Sequence, residues 1–201
     1  MDYVTTPEAL EALYGTPSEA ALLKVARRLT PAYQAWIEAS RFCILSTVGP
    51  GGTDASPRGD DGPVVRVMDP GTLALPDWKG NDRIDSLRNI VADGRVSLMF
   101  FISGASNVVR VNGQARVTAD AALRESFARG GHLPRSVIVL VIEEVYAQCA
   151  RAILRSRLWT AEHHARSLPS MGDILRELSE GRFDGAAYDS AWPERARTTM
   201  W

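Results

Sequence analysis

Three groups of residues carry side chains able to recognise a charged or polar ligand. The first is Arg58, Lys79 and Arg83, with Asn81 between the last two. A phosphate monoester carries close to two negative charges and several acceptor oxygens. Free backbone N–H groups at a helix start, helped by the forked donors of arginine, match it. On the same residues, Arg83 could instead pair with Asp82 or Asp85 on a solvated helix, and Asn81 could be a plain cap. The second group is Arg110, Asn112 and Gln114, which share one face of any strand. That polar row is either the outer side of a sheet or the lining of a groove, where Arg110 or Gln114 would bond the edge of a heterocycle. The third is Arg155, Arg157 and Trp159. It reads as a packing anchor with solvated arginines or as a reach across a dimer interface, where tryptophan and arginine are enriched.

Other chemistries find less support. His132, His163 and His164 lack metal-ligand spacing with cysteines or carboxylates, so no metal site is expected. Ser46, Ser56 and Ser97 have no G-x-S-x-G context, and the chain has neither G-x-G-x-x-G nor a Walker loop. No side chain stands out as a general acid or base, so the catalytic residues are left unassigned. Cys43 reads as core. Cys149 precedes a helix start, and burial is expected to keep it inert.

These groups need elements to hold them. Thr16-Pro17-Ser18-Glu19 has the pattern of a capping box and predicts a helix with Leu22, Leu23, Val25, Ala26 and Leu29 on its apolar face. Thr30-Pro31 starts a second helix carrying Tyr33, Trp36 and Ile37. Strands are expected at 42–48 and 53–56 around Gly49-Pro50-Gly51-Gly52, with Pro57 and Gly59 breaking the ladder near Arg58. A hairpin follows, 64–69 with 72–76 around Pro70-Gly71. A helix over 82–93 is capped by Asn81 and closed by Gly94. Strands are predicted at 95–102, 108–117 and 136–146, the last buried on both faces, with a short helix at 120–129. Helical periodicity returns after Cys149 and near 171–180, before a Gly/Ala/Asp-containing tail. The expectation is three parts: a helix pair over 1–40, a barrel over 41–160 and a helical tail over 161–201.

The bulk numbers set limits. With 201 residues, 45% hydrophobic and 23% charged, the chain can bury an ordinary core. A formal net charge of -1 gives no global field to recruit nucleic acid or an anionic membrane. No apolar stretch is long enough to span a bilayer, and the start of the chain lacks the pattern of a signal peptide. Two distant cysteines suit reduced thiols, so a soluble, cytoplasmic protein is expected.

The order of several segments resembles a known superfamily. Ser56-Pro57-Arg58-Gly59-Asp60, Leu75-Pro76-Asp77, Gly80-Asn81-Asp82-Arg83 and Ser86-Leu87-Arg88-Asn89-Ile90 come first. Arg95-Val96-Ser97-Leu98-Met99-Phe100, Arg110-Val111-Asn112-Gly113-Gln114-Ala115 and the segment from Cys149 to Trp159 follow. Together they resemble the pyridoxamine 5′-phosphate oxidase-like, FMN-binding split-barrel superfamily over roughly residues 35–160, nearest a subgroup of FMN-dependent enzymes. The resemblance implies a mainly β fold, α+β by content: a six-stranded antiparallel split β-barrel with peripheral helices. It also implies a homodimer with FMN at the subunit interface and an oxidoreductase acting through flavin N5 on a small-molecule substrate. Carried over by position, Arg83, Lys79 and Asn81 would hold the flavin phosphate, with Arg58 as a second phosphate ligand. The backbone of Val65, Arg66 and Val67 would run beside the ring, and Gln114 or Arg110 would approach it. Arg155 and Trp159 would come from the partner. The pyridoxamine phosphate oxidases proper carry an Arg-x-His near the C-terminus, where this chain has Arg155-Ser156-Arg157-Leu158-Trp159. The expectation is therefore a flavoprotein other than a vitamin B6 phosphate oxidase. The alternative is a barrel that holds flavin, deazaflavin or haem without turnover.

Overall fold

Alternation of apolar and polar residues builds the sheet. In β1 (Phe42–Gly49), Cys43, Leu45 and Thr47 are buried while Phe42, Ile44 and Ser46 face outward. The same period runs through β5 (Arg95–Phe101), where Val96, Leu98 and Phe100 point inward. The other strands are β2 (Gly52–Gly59), β3 (Arg66–Asp69), β4 (Thr72–Asp77), β6 (Val108–Thr118) and β7 (Ser136–Gln148). Every neighbouring pair is antiparallel, in the order β2-β1-β5-β6-β7-β4-β3. The computed structural model describes residues 1–160 and 168–199, so His163, His164 and Trp201 lie outside the described residues.

The architecture is mixed α+β with one large antiparallel sheet that backbone hydrogen bonds do not close. It has seven strands, one for each strand segment the sequence predicts, which corrects the six that the resemblance implies. β3 is a four-residue edge segment bonded only to β4, with an irregularity between Val67 and Asp69. β2 differs too. Its ladder with β1 runs unbroken through Pro57 to Gly59, because β2 is an edge strand and the missing proline N–H costs no rung on its open side. β7 is buried on both faces only at Ser136, Val137 and Ile138; beyond them Val141 is 55% exposed.

Helices brace the inside of the curl. Thr30 caps α3 (Pro31–Ala39) through Tyr33 N–H, as expected, and Tyr33, Trp36 and Ile37 pack on the core. Tyr33 Oη donates to Lys24 O and accepts from Ala147 N–H, tying the N-terminal segment to β7. The predicted helix before it is corrected. Only two short helices form, α1 (Pro7–Glu11) and α2 (Glu19–Leu23), and Ser18 rather than Thr16 caps the second. The chain then leaves the helix so that Ala26 can exchange two backbone hydrogen bonds with Val145.

The remaining helices are α4 (Asp85–Ala92), α5 (Ala121–Glu125), α6 (Arg151–Ser156), α7 (Met171–Leu178) and α8 (Gly185–Thr199). The last was not expected, since Pro193 lies inside it and its apolar residues keep no clear period. α7 and α8 cross where Gly172 meets Gly185, and a Cβ on either would fall 2.1 Å from the other's carbonyl oxygen. Asp189 seals the crossing by accepting from Ser170 Oγ and Gly172 N–H. Among the described residues, no helix is long and apolar enough to cross a membrane.

Candidate functional site

The two ends of the open sheet are brought together by side chains. Arg58 on β2 forms an ion pair with Asp77 on β4, although four strands separate β2 from β4 along the sheet. Both side chains are largely covered, 20% and 15% exposed, so water screens the pair far less than a surface bridge. A hydrogen-bond chain continues inward: Arg58 Nε donates to Ser56 Oγ at 3.3 Å, Ser56 meets Ser86 of α4 at 3.1 Å, and Ser86 Oγ donates to Asp54.

A cleft of about 860 Å³ opens over this seam, within the range of small-molecule sites. It gathers the first predicted group: Arg58, Lys79, Asn81 and Arg83 all line it. Their local roles differ from expectation. Asn81 does not cap α4; its Oδ1 accepts from Arg83 N–H in a tight turn. Asp82 has φ +62°, a left-handed conformation that aspartate tolerates better than most residues. Arg135, ahead of β7, holds this turn through Asp82 Oδ1 at 2.6 Å. The helix therefore begins three residues late, with Ile84 at its N-cap and no side chain capping its first amides. Arg83 pairs with Asp85 at 3.0 Å, one of the two alternatives the sequence offered. Lys79 is exposed and has no partner among the described residues. Ser136 also lines the cleft; it is 9% exposed, and its hydroxyl has no hydrogen-bond partner.

A second cleft of about 440 Å³ adjoins the first and shares Asp60, Pro76 and Trp78 with it. It holds Val65, Arg66 and Val67, the segment that the resemblance would run beside a flavin ring. Arg66 lies 3.8 Å above the Phe127 ring and donates to Ser126 Oγ and O. The wall between the clefts is Asp60, which accepts from Trp78 Nε1 at 3.1 Å and pairs with Arg129; Arg129 also pairs with Asp61.

The other predicted residues lie away from both clefts of their own chain. Arg110 sits in a cross-strand row Ile44–Met99–Arg110–Tyr146 on the outer face of the sheet. It donates to Tyr146 Oη at 2.9 Å, while its buried Nε has no partner. Gln114 is exposed near Gly94, opposite Arg95. Trp159 Nε1 donates to Ala105 O in the β5–β6 loop, and Arg155 is exposed on α6. Cys43 is buried, and loss of solvation pushes its thiol up to about 12. Cys149 is exposed, which corrects the expected burial. Among the described residues, no group of three or more His, Cys, Asp or Glu could hold a metal ion.

Sequence reasoning missed Asp60, Trp78, Arg129, Arg135 and Ser136 as parts of the site. Trp78 offered a signal, as a tryptophan directly after the strand that ends in Leu75-Pro76-Asp77. The others are joined only by the curl of the sheet.

Fold and cleft together define a domain in which an antiparallel sheet is drawn up around a polar seam lined with cations. A sequence model of the pyridoxamine 5′-phosphate oxidase family matches residues 29–149, and the chain belongs to that family. No curated protein sequence matches it. Similar solved structures include HupZ of Group A Streptococcus, 20% identical over 58% of this chain and 91% of that one, with a TM-score of 0.47. An FAD-binding protein of Mycobacterium smegmatis is 14% identical over 61% and 97%, with a TM-score of 0.41. An FAD-binding protein of Mesorhizobium loti is 18% identical over 61% and 96%, with a TM-score of 0.39. The family assignment rests on the sequence match.

Proposed function

We propose that the protein is a cytoplasmic FMN-dependent oxidoreductase of the split-barrel type, working on a small-molecule substrate as a homodimer. The observation that carries this reading is the meeting of Lys79, Arg83 and the uncapped start of α4 on one cleft, in a member of an oxidase family. An ammonium without a partner and unsatisfied helix amides are the donors a flavin phosphate needs. Arg58, neutralised by Asp77, would position the cleft wall more than it would bind charge. The neighbouring cleft, with Val65, Arg66 and Val67 beside Trp78 and Phe127, offers an apolar and aromatic bed for the ring. The flavin would supply hydride or electron-pair transfer at N5; the protein would bind it, orient it and exclude water.

Two features support the homodimer with sites at its interface. The outer face carries Phe42 against Phe101 and Ile44 beside Met99, and within it the Arg110 Nε lacks an acceptor. Arg155 and Trp159 lie off the clefts of their own chain, so they would reach a site only in a partner. Two free thiols, Cys43 and Cys149, suit the cytoplasm.

The test is the visible absorbance spectrum of the purified protein, with any released cofactor identified by mass. A flavin spectrum and release of FMN are expected. A colourless protein that also fails to bind added FMN would remove the reading. Anaerobic reduction by a nicotinamide donor followed by rapid reoxidation separates an enzyme from a carrier.

A further inference from the structure

The Ser136 hydroxyl is a donor without an acceptor in a place where the carboxylates around it are held by arginines. Ser136 opens β7 directly across from Asp77 of β4, yet the Asp77 carboxylate is taken by Arg58. The other carboxylates on the cleft are occupied in the same way: Asp60 and Asp61 by Arg129, Asp82 by Arg135. The remaining charged groups there, Lys79, Arg83 and Arg135, only donate. A hydroxyl that is nine-tenths buried needs a partner to offset its lost hydration. A ligand that brings acceptor oxygens into the cleft would supply that partner.

The geometry points to a phosphate monoester. Forked arginine donors would suit a planar carboxylate, but the cleft's arginine forks are bound to aspartates. What stays available are single-point donors of different kinds: the Lys79 ammonium, the Ser136 hydroxyl and the uncapped amides that open α4. Separate donors of that sort fit an anion with several equivalent oxygens spread over a tetrahedron. We propose that Ser136 Oγ donates a hydrogen bond to the phosphate of the bound ligand, between Lys79 and the start of α4. On the reading given above, which this rests on, that phosphate is the one on FMN.

The experiment is calorimetric titration of the wild-type protein and Ser136→Ala with FMN, riboflavin and inorganic phosphate, together with melting of both ligand-free proteins. The variant is expected to bind FMN about ten-fold more weakly or worse, to bind riboflavin as before, and to melt no lower than wild type. The last follows because the deleted hydroxyl makes no bond within the chain. Equal FMN affinity in the two proteins overturns the proposal. So does a parallel loss for FMN and riboflavin, or a lowered melting point, since each marks a structural role. If wild type binds phosphate but neither flavin, the flavin reading fails, and the variant's affinity for phosphate still decides the role of Ser136. If wild type binds none of the three, both fail.

Discussion

Among single residues, the two cysteines are the sharpest contrast. Cys43 is buried at 0% exposure and its thiol is pushed up to about 12 by loss of solvation, whereas Cys149 is exposed at the foot of α6. Iodoacetamide at pH 8 should therefore modify one site in the folded protein, Cys149, and reach Cys43 only in denaturant; peptide mass mapping reads this directly. The same shift fixes a sign. The unfolded thiol ionises near its ordinary value of 9.0 and the folded one only near 12. Stability linked to Cys43 is thus intact below pH 9 and is lost as pH rises from there toward 12. Melting temperatures of wild type and Cys43→Ala should converge over that range, and parallel curves would rule the linkage out. Residue identity made Cys43 legible as core in the sequence. It could not do so for Ser136 or Arg135, whose meaning depends on chain 50 or more residues away.

The secondary structure was readable where local chemistry decides and misread where tertiary contacts decide. Thr30 and Asp120 cap their helices as their types dictate, and Gly94 closes α4 with φ +85°. The start of α4 slipped by three residues because Asn81 spent its side chain on the turn and Arg135 held Asp82 in place. Thr16 lost the first cap to Ser18, and Ala26 was drawn into pairing with Val145. Gly113 shows tertiary control at its tightest. It follows the register shift of β6 against β7, and an added Cβ would sit 2.0 Å from Val141 O. Gly113→Ala should cost at least ~2 kcal/mol, since a strand backbone must move to admit the methyl. The midpoint of urea unfolding measures this, and an unchanged midpoint would show that the strands yield freely.

For the whole molecule, the pattern of strands was legible but the way the sheet shuts was not. Periodicity announces strands one at a time; it says nothing of a bridge between Arg58 and Asp77, which are 19 residues apart in sequence and on strands far apart in the sheet. Asp77→Ala leaves Arg58 charged, mostly covered and unpaired, and should cost about 3 kcal/mol, read again from urea unfolding. The proposed dimer is tested on the outer face. Met99→Asp should convert a particle of twice 22.0 kDa into a monomer by sedimentation, without loss of the buried row Val96, Leu98, Phe100. The seam has one more consequence. β2 and β3 each keep a row of backbone groups without a ladder partner, and the candidate cleft lies where β2 faces β4. A molecule seated there would touch β2 and β4 at once, acting as a clasp on a band left unfastened. Emptied of it, the chain would present the free edge of β2 to any neighbour able to add a strand, so occupancy of the cleft and resistance to aggregation would rise and fall together.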